Sequence, residues 1–349
     1  MKKHLFSVAA MMMAASGAMA VNPYVAKVYE FCPAPGQFIH DVPILTDDMT
    51  PEEVIAEVES QLCGNDDDGA APGMVSLGAF GGYVVFGFDH PLVNVKGEYD
   101  LRIFGNSFRG MIDDEAYGSS EPGIVMVSVD TNGNGIPDDE WFELAGSEYH
   151  SEGTFHNFEI TYKRPADNTT GVSWTSNDPA AGEGSVERTQ FHTQNFWPGW
   201  YAGETLTFRG TRLAPNAQNT AEEGENWVLH AYDWGYADNL PNDEDPGLKL
   251  DWAVDAQGNP VELEQVHFIK VYTALAQNCG WIGETSTEVC GAQDLHPEAL
   301  AGIETIASSH PDDAPEVFFD LRGIRVDRPT APGIYLRSQG GKVTKIIVR

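Results

Sequence analysis

Between Met74 and about Lys270 the chain is a succession of short runs closed off by Gly, Pro, Asn or Asp. "MVSLGAFGGYVVFGF", "YDLRIFGNSF", "GIVMVSV", "EWFELAG", "FEITYKR", "GVSWTS", "TLTFRGTRL" and "NWVLHAYDW" follow one another at short intervals. Runs of this length with alternating apolar residues build strands, and no helical pattern separates them as a parallel α/β sheet requires. The 36 glycines and 21 prolines supply the turns. The expected fold is all-β, a β-sandwich of jelly-roll-like type. No fixed repeat is present, which disfavours a propeller or solenoid. "WAVDAQGNPVEL" has Gly258-Asn259-Pro260 near the tip of a hairpin, and "VHFIKVYTAL" has the character of a central strand.

The clearest helix is "TPEEVIAEVESQL". Thr50 can cap it, Pro51 suits its first turn and Glu53 completes a capping box. Ile55, Val58 or Ala56, and Leu62 give it one apolar face. Ahead of it, residues 1–20 have the form of a signal peptide: Lys2 and Lys3, a short apolar core, and Ala18-Met19-Ala20 as a small-x-small cleavage site. That core is too short to span a bilayer comfortably, and no later segment is apolar enough. The expected organisation is a leader (1–20), a β-sandwich surface domain (21–302), a linker (303–316) and a small basic β module (317–349). An exported chain with four cysteines, Cys32, Cys63, Cys279 and Cys290, is expected to form two disulfides. Of the three pairings, the sequence-local one, Cys32 with Cys63 and Cys279 with Cys290, is preferred.

"VSVDTNGNGIPDDEWFEL" concentrates oxygen between two strand-like runs. Asp130, Asn132 and Asn134 alternate, Gly135 stands where a sharp turn is needed, Ile136 offers a carbonyl and Asp138 follows two residues on. These are the first, third, fifth, sixth, seventh and ninth positions of a calcium loop. The twelfth position is Trp141 rather than Glu, so Asp139, Glu140 or a distant acid must supply the bidentate ligand. The competing reading is a solvated Asx-rich turn.

Aromatic residues mark a second kind of candidate. "FHTQNFWPGWYAGE" carries Trp197, Trp200 and Tyr201 around Pro198-Gly199. "LHAYDWGYADNLPNDEDPG" mixes Trp234 and Tyr236 with Asp238, and "NCGWIGETSTEVCG" adds Trp281, Glu284 and Glu288. Rings that stack on sugar faces, beside acids that accept hydroxyl protons, would suit a glycan. Strand alternation offers the plainer account that many of these rings are core.

The net charge is −33, which repels nucleic-acid phosphates and anionic lipids. The motifs HExxH, GxSxG, P-loop and GxGxxG are all missing from the sequence, so no catalytic residue is assigned.

Two longer stretches, "MVSLGAFGGYVVFGFDHPLVNVKGEYDLRIFGNSF" and "SSEPGIVMVSVDTNGNGIPDDEWFELAGSEYH", resemble exported cell-surface, PKD-like proteins of Bacteroidetes-type bacteria. The resemblance runs from about Pro33 to His296. It implies a β-sandwich, export and, for some members, nutrient-uptake loci with outer-membrane receptors, cobalamin-type loci among them. The tail "FFDLRGIRVDRPTAPGIYLRSQGGKVTKIIVR" is similar to type IX secretion sorting domains, matching at Asp320, Leu321, Gly323, Pro332, Gly333, Ile334, Tyr335 and Lys342. The expectation is a non-enzymatic, calcium-stabilised surface protein that captures a glycan or other nutrient. A polysaccharide hydrolase with paired carboxylates and a structural or adhesive protein are the alternatives.

Overall fold

The structure, a computed structural model, describes residues 21–64, 73–109 and 118–299, and the C-terminal strands between Val317 and Val348. The signal-peptide residues and the expected linker lie outside the described residues. In chain order the elements are β1 (Lys27–Cys32), α1 (Pro51–Leu62), β2 (Val75–Ser76), β3 (Tyr83–Gly87), β4 (Leu92–Val93), β5 (Leu101–Ile103), β6 (Gly123–Ser128) and β7 (Trp141–Leu144). Then follow β8 (Phe155–Lys163), β9 (Val172–Ser176), β10 (Glu183–Val186), β11 (Thr205–Arg212), β12 (Ala217–Asn219), β13 (Trp227–Leu229), β14 (Ala253–Val254), β15 (Gln265–Val266) and β16 (Phe268–Thr273). The last are β17 (Glu288–Val289), β18 (Ala292–Asp294), β19 (Val317–Phe319), β20 (Arg325–Val326), β21 (Gly333–Gln339) and β22 (Lys342–Val348).

The fold is all-β and sandwich-like. One antiparallel sheet has the order β1-β3-β16-β6-β7-β14, and a second has the order β10-β9-β8-β11. Alternation along β6 shows how they pack. Val125 and Val127 join Val84, Phe86, Ile269 and Val271 in one core. Ile124 and Met126 face the other way, onto Phe158, Ile160, Tyr162, Leu206 and Phe208 of the second sheet. The first core is closed over by α1 and by the short ladders β2–β17, β4–β15 and β5–β18. The first sheet is therefore buried on both faces, and "VHFIKVYTAL" supplies β16, its third strand.

The capping box of α1 forms as expected: Glu53 N–H donates to Thr50 Oγ1 at 3.2 Å, and Thr50 N–H to Glu53 Oε2 at 2.8 Å. Its buried residues are Val54, Val58 and Leu62, with Ile55 at the margin; Ala56 points outward. No described helix is long and apolar enough to cross a membrane. In the C-terminal segment β20-β19-β21-β22 form a separate four-stranded sheet. Gly333, Ile334 and Tyr335 open β21 and Lys342 opens β22, whereas Asp320, Leu321, Gly323 and Pro332 lie outside the described residues.

The expected disulfides are not formed: all four cysteines are free thiols. Strand alternation separates the first pair. Cys32 packs against the core between the two sheets, while Cys63, at the end of α1, packs against the core on the other face of the first sheet. Cys279 is buried beside Thr285, and Cys290 is held by its N–H to Phe104 O at 2.7 Å, in the approach to β18. Burial pushes the Cys32 and Cys279 thiols up to about 11 and those of Cys63 and Cys290 to about 12.

One acid links the two sheets. Glu143 on β7 accepts from Thr211 Oγ1 on β11 at 2.7 Å, and burial pushes its carboxyl up from 4.5 to about 7. The folded chain thus keeps a proton that the unfolded chain releases between those values. Stability from this group falls as pH rises through that window and levels off above it. In Glu143→Gln that loss disappears, so across the window the variant gains up to about 3 kcal/mol relative to the parent. Urea titrations of both proteins at pH 4.5 and 7.5 check this, and parallel pH profiles would refute it.

Candidate functional site

An open cleft of about 370 Å³ lies among loops that follow different strands. Its walls are Phe38, Phe108, His192, Trp227 and Trp281, and its floor includes Glu121. Phe108 and Trp281 are 60% and 49% exposed, large values for such rings. Phe191 meets Trp281 edge-on at 5.8 Å, and Phe38 meets His192 at 4.9 Å, so the rim carries two ring pairs. Partial burial holds the His192 imidazole below its ordinary pKa.

Below the floor the acids gather. Glu121, Asp238 and Glu288 each bring a carboxylate oxygen within 4.8 Å of the other two. Asp238 is 2% and Glu288 4% exposed, while Glu121 is half-buried where it meets the cleft. Asp238 is fixed by the backbone. Its Oδ1 accepts from Asn106 N–H and Ser107 N–H, both at 2.8 Å, and its Oδ2 from Glu288 N–H at 3.0 Å. Gly105 leaves room for it, since a Cβ there would stand 2.3 Å from Asp238 Oδ1. Glu121 Oε1 accepts from Ser286 N–H at 3.2 Å. Burial, then the neighbouring acids, raise Glu121 and Asp238 well above the carboxylate range, and burial pushes Glu288 up to about 7. Glu284 stands close by, 3% exposed and pushed by burial to about 8, with Oε1 accepting from Gln37 N–H at 2.5 Å.

The β6–β7 loop lies at the other end of β6, about 20 Å away by the rise of a six-residue strand. Its side chains converge. Asp130 accepts from Asn134 N–H at 3.1 Å and Gly135 N–H at 2.9 Å, which holds its carboxyl below the usual range. Asn132 and Asn134 donate to Asp138 at 3.1 Å each, and Asp139 accepts from Thr131. Gly133 and Gly135 have φ of 69° and 70°, a conformation glycine adopts without strain. Ile136 O accepts from Asp138 N–H at 2.8 Å, and Glu140 remains exposed. The alternating spacing thus brings Asp130, Asn132, Asn134 and Asp138 together, with Asp139 beside them through Thr131. Asn132 Oδ1 and Asn134 Oδ1 accept from Asn134 N–H at 2.9 Å and Ile136 N–H at 2.7 Å, so in this structure the two amides close Asx turns.

The aromatic candidates separate. Trp281 is on the cleft rim. Trp197 and Tyr236, 2% and 4% exposed, are core residues between the sheets, placed there by packing that their loop-like surroundings did not reveal. Trp200 is half-buried against the other core and near His40. Tyr201 is 37% exposed but its hydroxyl is committed to Thr205 O. Trp234 packs on Trp252 at 4.5 Å, away from the cleft-lining residues. "YDWGYADN" is a folded loop in its own right: Tyr232 N–H donates to Asn239 Oδ1 at 2.7 Å, and Asn239 Nδ2 to Tyr232 O at 2.8 Å. Asp238 therefore points into the acidic group and not toward a sugar platform. Glu121, Phe108 and Trp227 carried no signal in sequence beyond their residue types.

No family model matches this chain, and no curated protein matches it.

Proposed function

We propose that this protein is an exported cell-surface β-sandwich that captures a glycan or another polar nutrient in the cleft above Glu121, with calcium bracing the β6–β7 loop. The observation that carries the reading is the pairing of an exposed aromatic rim with a carboxylate floor in an open, preformed cleft. Aromatic faces stack on the apolar faces of sugar rings, and an acid accepts their hydroxyl protons; concave sites of this size take small ligands. The strongly acidic chain disfavours nucleic acid as the partner. Export rests on the signal-peptide form of residues 1–20 together with the sequence resemblance; a place in a nutrient-uptake system with an outer-membrane receptor and a sorting role for the tail rest on the resemblance alone.

A hydrolase is less well supported. Retaining glycosidases hold their two carboxyls about 5–5.5 Å apart and inverting ones further, across the substrate. Such a pair must flank the substrate, and here two of the three acids, Asp238 and Glu288, are buried and do not line the cleft, which leaves Glu121 alone to face it.

The test is a glycan array on the mature chain, followed by calorimetry on the best binder. Trp281→Ala is expected to weaken binding at least about tenfold, as loss of an aromatic anchor does. The melting temperature should hardly move, because half of that side chain is already in water. Unchanged affinity in both Trp281→Ala and Phe108→Ala would sink the cleft as the binding site.

A further inference from the structure

We propose that Glu121, Asp238 and Glu288 form a second cation site, taking a divalent ion of the calcium type directly beneath the cleft floor. It is separate from the β6–β7 loop, at the opposite end of β6, and it does not depend on the cleft binding a glycan.

Three acids close together are not by themselves a site. The second observation is Glu288 Oε1, sealed from solvent in a side chain only 4% exposed and without a hydrogen-bond partner. The hydrogen bonds that the same carboxyl shares with Ser286, Ser76, Glu121 and Asn106 leave this oxygen unpaired. An acceptor oxygen buried unpaired costs its full desolvation, so the pocket is built for something that binds oxygen. Among the described residues, none of the three acids forms an ion pair with Lys, Arg or His. Buried carboxylates must be paired, metal-bound or protonated.

The donor set chooses the metal. Three carboxylates, with the Ser76 and Ser286 hydroxyls and the Asn106 side chain beside Glu288, are all hard oxygen or amide donors. Calcium takes six to eight such oxygens, whereas zinc prefers nitrogen and sulfur in fours. Asp238 is already held by three backbone N–H groups, so one ligand is preorganised. Glu121 reaches both the acids and the cleft, which leaves a ligand in the cleft one carboxylate away from the ion.

The experiment measures bound calcium in Asp130→Ala, where the loop is disabled and the three buried acids are untouched, by equilibrium dialysis with calcium chloride and by terbium luminescence. One ion per chain is expected, together with a melting temperature that chelation lowers. Adding Glu288→Gln should weaken that remaining ion by on the order of a hundredfold. Two results would overturn the proposal. One is Asp130→Ala protein that binds neither calcium nor magnesium at millimolar concentration and melts the same in chelator, in which case the acids share protons. The other is a folded double variant that keeps its ion. If the parent binds one ion and Asp130→Ala keeps it, the loop reading fails while the buried site stands.

Discussion

Trp197→Ala lowers the free energy of unfolding by about 3–5 kcal/mol, the range for truncating a buried aromatic, and leaves ligand affinity in the cleft unchanged. The side chain is 2% exposed, sits in the core between the two sheets beside Phe196, and carries the Arg164 guanidinium 5.2 Å from its ring. Its indole N–H has no protein partner, so nearly all the loss comes from buried area and packing. A cavity of that size cannot be refilled by Tyr201, whose ring centre is 6.4 Å away and whose hydroxyl is already bonded. Urea titration measures the effect. A stability change below about 1 kcal/mol, with ligand binding lost, would restore Trp197 as a contact residue, since surface substitutions stay near that size.

The second large effect concerns calcium at the β6–β7 loop. Asp130→Ala is expected to weaken the loop's calcium affinity by on the order of a hundredfold, because affinity tracks the number of charged ligands. The same substitution frees Asn134 N–H and Gly135 N–H, which Asp130 now holds in the turn. In the parent, calcium at a thousandfold excess over the dissociation constant of such a site is expected to stabilise the folded state by about 4 kcal/mol, a shift of several degrees in melting temperature. Thermal unfolding with and without chelator reads both proteins. Identical melting of the parent in calcium and in chelator would leave the loop an Asx-rich turn and the buried acids a proton-sharing group.

The sandwich was legible because alternation is local. In "GIVMVSV" each residue's neighbours already say which face it takes, and Ile124 and Val125 do fall into different cores. The helix was legible for the same reason, through Thr50, Pro51 and Glu53. The convergence of Asp130, Asn132, Asn134 and Asp138 in the β6–β7 loop was legible, since these residues lie within ten positions of one another. The cleft was not. Glu121, Trp227 and Trp281 come from separate segments, and only the pairing of distant strands brings them together. Trp197 misled because Pro198 and Gly199 beside it promised an exposed loop, while Tyr236 follows the plainer account that strand alternation offered; both rings lie in the core between the sheets. The cysteine count misled because it says nothing about which side of a sheet each thiol takes.

The edges of the two sheets bear on how this molecule can meet others. β14, the last strand of the larger sheet, has only two residues, and its free side already meets Pro260, which lacks an N–H. β1, at the opposite edge, is interrupted by a bulge between Val28 and Glu30. On the smaller sheet the long edge strand β11 has an irregularity between Gly210 and Arg212 and turns Arg209 outward to Glu159. Short, bulged and charged margins are poor templates for strand addition. Along these three margins a neighbour would thus find little backbone to zip onto, and association there is left to side-chain chemistry, where recognition can be selective.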